Sequence, residues 1–571
     1  MANRRITPSF AERFRLAAPR SRVQDSPTGT AMGTVPGGQQ EMIGRRHFAA
    51  AATAFAAGGG ILGRHAAAQD SRKTLRVVPQ AEPLVFDPHQ SQANVTSVHV
   101  AMVYDTLFSW DADMVPQPQM VDTWNKSDDR LLYTFTLRPG LTFHDGSPVT
   151  SRDVVATLKR LFVRDTQNQI FASLIAAIAP VNERTFTIRL KEPFNYVEFL
   201  LGGSNGVAGA ILREREALTD PFTPIKEIVG SGPFRFNVAE YRPGARLVYD
   251  RFDGYVPRKE PPSGFAGGKV VKLDRVELVP IPDPSTAFAA LRNAEVDFLD
   301  APLLDLIPTV AGDPNIVVGE VWPIETYAVL RFNHLFPPFD DVRARQAVAH
   351  AVSQRDYMQA AYGDPKYWRE CYAFWVCGSP NGTEAGSDAY RKPDLDLART
   401  LLKQSGYDGR PVVLIGGSDI PAYQQMSLVT ADLLKKIGLN VDMQMSDWGT
   451  VSARRGKKDP PNQGGWNLFH TSANGAQLAS PLTSPSTITT CDGKNFVGWP
   501  CDQVEEDMRI RYIRETDPVK QRALLEQMHV RLWVSLPYVP LGQFRQPFVW
   551  RRNITGVLKA NTLVYWNIEK A

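Results

Sequence analysis

The stretch Leu141–Val154, LTFHDGSPVTSRDV, sets a histidine against an aspartate and a glycine, with hydroxyls and a second aspartate close behind. Read as chemistry it suggests a His-Asp pair; read as conformation it is a turn followed by a helix start. Pro139-Gly140 and Asp145-Gly146 are turn dipeptides, because glycine reaches positive φ without a steric penalty. Phe143 and Val149 alternate with polar residues as strand positions do. Thr150 or Ser151 stands where a side chain caps a helix beginning at Asp153, and Asp153 places negative charge in its first turn. A His144–Asp145 dyad would also need a nucleophile, and no Gly-x-Ser-x-Gly elbow occurs in the chain. His144 is therefore expected to bond nearby backbone, and a hydrolase is disfavoured.

Outward from this stretch, YTFTLRPGLTFHDG and RTFTIRLKEP alternate with period two and predict half-buried antiparallel strands. Upstream, Leu75–Val78 predicts a short buried strand. Downstream, DDVRARQAVAHAVSQRDYMQAAY predicts a long amphipathic helix. YQQMSLVTADLLKKIGLNVDMQMSDW predicts a helix, a C-cap at Gly438 and a strand, the alternation of an α/β lobe. The 571 residues, 43% hydrophobic and 22% charged, allow two to four domains. No repeat of domain-building length is present.

The formal charge of +4 is unevenly spread. Residues 1–68 hold nine arginines against Glu12, Asp25 and Glu41, so this segment carries +6 and the remainder −2. A nearly neutral remainder gives no support for nucleic-acid binding. Arg45-Arg46, the apolar run Phe48–Leu62 and the small residues Ala66 and Ala68 form a twin-arginine export leader with cleavage expected before Gln69. The run is too short to span a bilayer. Translation from Met42 would give a leader of ordinary length, so residues 1–41 are expected to lie outside the translated product. No cysteine stands at the cleavage point, which excludes a lipid anchor there and leaves a soluble periplasmic product. The four cysteines pair by proximity, Cys371 with Cys377 and Cys491 with Cys501, as disulfides in an oxidising compartment. Their spacings match no usual zinc pattern.

Three segments together carry a resemblance. WNKSDDRLLYTFTLRPGLTFHDGSPVTSRDVVATLKRL (124–161), VGSGPFRF (229–236) and LRFNHLFPPFDDVRARQAVAHAVSQRD (330–356) resemble, in order and spacing, the signatures of family 5 extracellular solute-binding proteins. Those are the peptide- and nickel-binding components of ABC importers. The resemblance implies an α/β fold of the periplasmic binding protein type II, cluster C kind: two lobes closing on a ligand, plus an extra domain. It implies domain I from 72–115, 225–325 and 540–571, domain II from 116–224 and domain III from 326–539. It further implies a monomer that binds a small molecule or short peptide, without a cofactor, and passes it to an ABC permease. A chemoreceptor-partner or chaperone-like role would use the same fold.

In the dipeptide and oligopeptide members a Gly-Trp segment is followed by an aspartate that pairs with the peptide ammonium. Here the matching stretch, GGWNLFHTSANGAQLASP (464–481), holds no acidic residue, and Asn474 stands where the aspartate is expected. An amide cannot supply the charge, and charge-assisted bonds are about twice as strong as neutral ones. Candidate ligand contacts are therefore Trp466, His470, Thr471, Ser472 and Asn474, with Trp448 at a strand end and Tyr327 on the segment entering domain III. No His, Cys and Asp cluster points to a metal. Arg345 is expected in a structural salt bridge, with a ligand carboxylate as the alternative.

Overall fold

The computed structural model describes residues 73–571, apart from 92, 165, 204–208, 483 and 494. The leader expected over 1–68 lies outside the described residues. Among the described residues the strands form three main sheets. The first is ordered β12 (Ile316–Glu320), β19 (Pro547–Arg551), β11 (Phe298–Leu299), β1 (Thr74–Val78), β10 (Arg275–Leu278), β9 (Leu247–Arg251) and β8 (Phe234–Phe236). The second is ordered β14 (Trp368–Arg369), β18 (Tyr538–Phe544), β13 (Thr326–Phe332), β17 (Leu468–Ala473), β15 (Val412–Gly417) and β16 (Val441–Ser446). The third is an antiparallel sheet of β4 (Val121–Lys126), β5 (Leu132–Leu137), β7 (Thr185–Leu190) and β6 (Ile175–Pro180). Two short ribbons pair β2 (Phe108–Trp110) with β3 (Pro116–Pro118) and β20 (Ile554–Thr555) with β21 (Glu569–Lys570).

Strand order fixes the connection between the first two sheets. The chain leaves the first sheet after Glu320, builds the whole second sheet, and returns at Pro547. Two crossings, 321–325 and 545–546, are therefore all that join them along the chain. Strand β18 ends at Phe544 and pairs with β13, so the boundary expected at 540 falls inside a strand of the second sheet.

The opening stretch is a hairpin end and a capped helix, as its turn residues predict. Gly146 has φ +86°, and the Asp145 carboxylate accepts from the Ser147 amide at 3.0 Å. The helix runs Ser151–Arg164, starting two residues earlier than the position read from sequence. The Asp153 carboxylate reaches back to the Thr150 amide at 2.7 Å, and its other oxygen takes the Glu214 amide. That is one half of a capping box, which puts Thr150 at the cap. His144 bonds backbone, as expected, but across 88 residues: its ring meets the Gly232 carbonyl at 3.0 Å and accepts from the Gly230 amide at 3.3 Å. The first two signature segments are thus one structural joint. A Cβ at Gly230 would fall 1.8 Å from the Val103 carbonyl oxygen, so only glycine lets the backbones approach this closely.

Both expected disulfides form, Cys371–Cys377 and Cys491–Cys501. The loop of the second is held by Arg331 of β13, which is fully buried and donates to the carbonyls of Ser486 and Val497. Among the described residues Arg345 makes no ion pair; it donates to the Ser535, Phe339 and Asp340 carbonyls. Its place near a helix start explains this, since orphan loop carbonyls there need donors. No helix among the described residues is long and apolar enough to cross a membrane.

Burial lowers the pKa of all seven described histidines, His334 and His350 included. His99 and His470 are pushed down to about 3, and His89, His144 and His529 to about 4. Below pH 6.5 the unfolded chain binds protons at these sites that the folded chain refuses, so stability falls as pH falls toward 4. Burial raises Asp300 to about 6 and Glu505 to about 8, and these two oppose the trend over part of the range. Each histidine contributes up to about 1.4 kcal/mol per pH unit, so the histidines outweigh the two carboxyls. Urea unfolding midpoints should therefore decrease steadily from neutral pH to pH 5; a midpoint constant over that interval would contradict the assignment.

Candidate functional site

Strands β15 and β16 run parallel, and β15 and β17 run parallel, so their carboxyl ends lie on one edge of the second sheet. Strand β13 runs antiparallel to β17 with Tyr327 opposite Ala473, so the chain enters the sheet at that same edge. In the first sheet β1 runs parallel to β10 and β11, and β12 ends at Glu320 where the first crossing begins. The carboxyl edges of both sheets therefore face the crossings. Ligands of open α/β sheets bind outside the carboxyl ends of the strands, which makes the space between these edges the candidate site.

The crossings are themselves bonded together. Glu325, on the first, accepts from Arg545 Nε on the second at 2.9 Å. It also accepts from Arg369 Nε at 2.5 Å and from Gln543 Nε2 at 2.9 Å. A cavity of about 250 Å³ lies here, lined from both crossings by residues including Trp322, Glu325, Arg369 and Arg545. The Cys371–Cys377 loop borders it, and Gln543 bonds the backbone of Cys377 in both directions.

The second sheet presents a small cluster at its edge. Tyr423 exchanges hydrogen bonds with Ser472 at 2.8 and 3.1 Å and packs on Trp448 with ring centres 4.7 Å apart. The Trp448 amide donates to the exposed Asp419 carboxylate at 2.8 Å. Asn474, just past β17, accepts from the Ala476 amide at 2.9 Å and donates to the Asn561 carbonyl at 2.6 Å. From there a polar chain enters the first sheet: Thr562 donates to Asn94 at 2.7 Å, Asn94 to Gln80 at 3.3 Å, and the Gln80 amide to the buried Asp300 carboxylate at 3.3 Å.

Of the residues expected to contact a ligand, the structure brings Trp448, Ser472 and Asn474 to this edge and puts the others elsewhere. Tyr327 is enclosed, its hydroxyl donating to the carbonyls of Cys371 and Ala373. Trp466 is fully buried against Phe469 and Trp499, its indole N–H held by the Arg455 carbonyl at 3.0 Å. His470 is buried between Ser427 and Thr430 at 3.2 and 2.8 Å. Thr471 is buried and donates to the Ser472 carbonyl. For His470 and Thr471 the cause is that β17 lies between β13 and β15, and a central strand covered on both faces encloses its side chains; Tyr327 is enclosed likewise on β13, between β17 and β18, and Trp466 packs just ahead of β17. Sequence reading missed Tyr423, Asp419, Gln80, Asn94, Asn561 and Asp300. For Asn561-Thr562 a signal did exist, two polar residues breaking the apolar run around Leu563–Trp566.

A family model, bacterial extracellular solute-binding proteins, family 5 middle, matches residues 115–496. The chain belongs to that family, and so to the solute-binding components of ABC importers. It is 38% identical over 491 residues, 85% of this chain and 92% of the relative, to the "Probable peptide ABC transporter periplasmic-binding protein" of Sinorhizobium fredii. It is 24% identical to the glutathione-binding protein of Salmonella typhi, covering 82% of this chain and 89% of that one. Among solved structures, the ABC transporter-associated periplasmic binding protein of Helicobacter pylori in complex with peptide STSA superposes with a TM-score of 0.72. That likeness is at 20% identity, over 88% of this chain and 99% of the other. The type II periplasmic binding protein fold expected from the signatures is thereby borne out.

Trp466→Ala tests whether this tryptophan packs or binds. A fully buried tryptophan replaced by alanine costs about 3–5 kcal/mol, which urea unfolding will register. An unchanged unfolding midpoint would return Trp466 to the surface of the cleft.

Proposed function

We propose that the protein captures a small peptide, or a peptide-like polar solute, between the carboxyl edges of its two large sheets and delivers it to a membrane permease. The facing of these two edges across two bonded crossings is the observation that carries this reading. In it the first sheet with its helices is domain I, 72–115, 225–325 and a return segment moved to about 545–571. Residues 116–224 form domain II, and the second sheet forms domain III. Trp448, Ser472 and Asn474 serve the cleft. The names of the relatives, a peptide-binding and a glutathione-binding protein, support a peptide-like solute. Closure is a population shift, since a solute touches both edges only when the lobes are together.

In this reading Asn474 is a latch between the lobes and only indirectly a ligand contact, because both ends of its amide are already engaged. Native mass spectrometry of the purified protein should reveal a copurified polar solute of peptide-like mass. Asn474→Ala should weaken that solute's binding about fivefold, the worth of one neutral hydrogen bond near 1 kcal/mol. Unchanged affinity would remove the latch from the account.

Export through the twin-arginine route and release into the periplasm as a soluble monomer complete the proposal. Replacing Arg45 and Arg46 together with lysine should leave the precursor in the cytoplasm, as read by fractionation. Normal export of that variant would point to a different route.

A further inference from the structure

Asp300 follows β11 at the edge of the first sheet that faces the candidate cleft, beside the end of β1. It is 3% exposed, yet among the described residues no lysine, arginine or histidine pairs with it. Among the described residues its carboxylate accepts one hydrogen bond, from the neutral backbone N–H of Gln80 at 3.3 Å. Other buried carboxylates of this lobe are matched with cations: Asp87 with Arg160 at 3.0 Å, Asp105 with Lys269 at 2.8 Å, and Asp297 with Lys570 at 2.9 Å. Asp300 departs from that pattern. A buried charge without a partner is costly, and proteins ordinarily pair or neutralise it.

A second unfilled acceptor belongs to the same polar chain. Asn561 is 7% exposed and its side-chain oxygen is buried with no donor, although its backbone carbonyl takes the Asn474 amide. Thr562 donates to Asn94, Asn94 to the Gln80 side-chain oxygen and the Gln80 backbone N–H to Asp300, which connects these two acceptors. What this polar chain lacks is a cation to match the carboxylate; the unpartnered donor nearby, Trp322 Nε1 at the first crossing, is neutral.

We propose that Asp300 holds a cationic donor group of the solute, a primary ammonium or a guanidinium, with Asn561 accepting beside it. The charge that the Asn474 position lacks is supplied from the opposite lobe. This rests on the interlobe reading of the cleft and names the class of solute that it takes. Burial raises the Asp300 carboxyl to about 6, and a bound cation would favour the ionised form.

The test uses protein stripped of solute by unfolding and refolding, with peptide STSA, glutathione and agmatine as probes. N-acetylated STSA and N-acetylated glutathione are their amine-blocked counterparts. At least one amine-bearing probe is expected to bind in calorimetry and to contract the protein in small-angle scattering. Blocking its amine, or substituting Asp300→Asn, should weaken binding about 10- to 100-fold, the range for a hydrogen bond to a charged group. Without any probe, Asp300→Asn should raise the melting temperature at mildly alkaline pH, because it removes an uncompensated charge and keeps the shape. A structural role for the carboxylate would instead lower it. Equal binding of the blocked probe, equal binding by Asp300→Asn, or no binding of all three probes at millimolar concentration would overturn the proposal. So would transfer of the loss to Asp419→Asn, the exposed carboxylate on the facing edge. Binding without contraction would count against the interlobe reading itself, and is distinguished by the scattering arm.

Discussion

One carboxylate, Glu325, stands where the chain passes from the first sheet into the second, and it also binds the place where the chain comes back. Without such a tie the two crossings would be independent strands of loop. With it they form a single narrow joint, because Arg545 of the returning segment and Arg369 of the edge strand share the same acceptor. Side chains around Glu325 are partly exposed, so its ion pairs are screened and individually modest. Their importance is geometric. They hold two passages of chain at fixed separation while leaving the sheets on either side free of other covalent connection. A hinge needs stiffness along the joint and freedom about it, and this arrangement supplies both.

The scaffold segments express the same economy. His144 and Gly230 lie 86 residues apart, yet they make one joint in which a ring replaces the missing partners of two backbone groups. Desolvation keeps that ring neutral, which is what allows it to accept at one nitrogen while donating at the other. The stretch that looked like catalytic chemistry is therefore an adhesive between the antiparallel third sheet and the loop that enters the first. Its aspartate is similarly occupied, since Asp145 takes the Ser147 amide and the Arg213 guanidinium at 2.6 Å.

Much of this was legible in the sequence because it is local. Turn dipeptides, period-two alternation, the Gly438 cap with φ +101° and the two short cysteine loops each depend on residues within a few positions. The site was less legible for two reasons. The stretch 464–481 was singled out for its polar residues and not as a strand, and whether those residues face a cleft depends on β17 lying between two neighbours in the sheet. His470 and Thr471 were thereby consumed by packing, Trp466 just ahead of the strand by Phe469 and Trp499, and only Ser472 and Asn474 reach the edge. Asp300 and Gln80 are 220 residues apart and meet because β1 lies beside β11. Nothing in the spacing of a chain announces that adjacency.

The energetics of closure follow from the same inventory. Asn474 and Asn561 make one neutral bond between the lobes, worth about 1 kcal/mol. Shifting a two-state equilibrium from 1:99 to 99:1 takes about 5.5 kcal/mol, so this bond alone cannot hold the lobes shut. The second-sheet lobe also meets residues 116–224 through Arg514–Glu192 at 2.8 Å and Gln521–Tyr196 at 2.7 Å, and a solute that satisfies groups on both edges at once adds to these contacts. Acceptors left without donors on the first sheet, facing hydroxyls and an aromatic pair on the second, divide that work unevenly. Charge recognition falls to the lobe with the buried carboxylate, while the Tyr423, Trp448 and Ser472 cluster contributes contact area and neutral hydrogen bonds. A solute with only one of these features would bind one lobe and leave the joint open, and a closed population of the protein thus reports that both have been met.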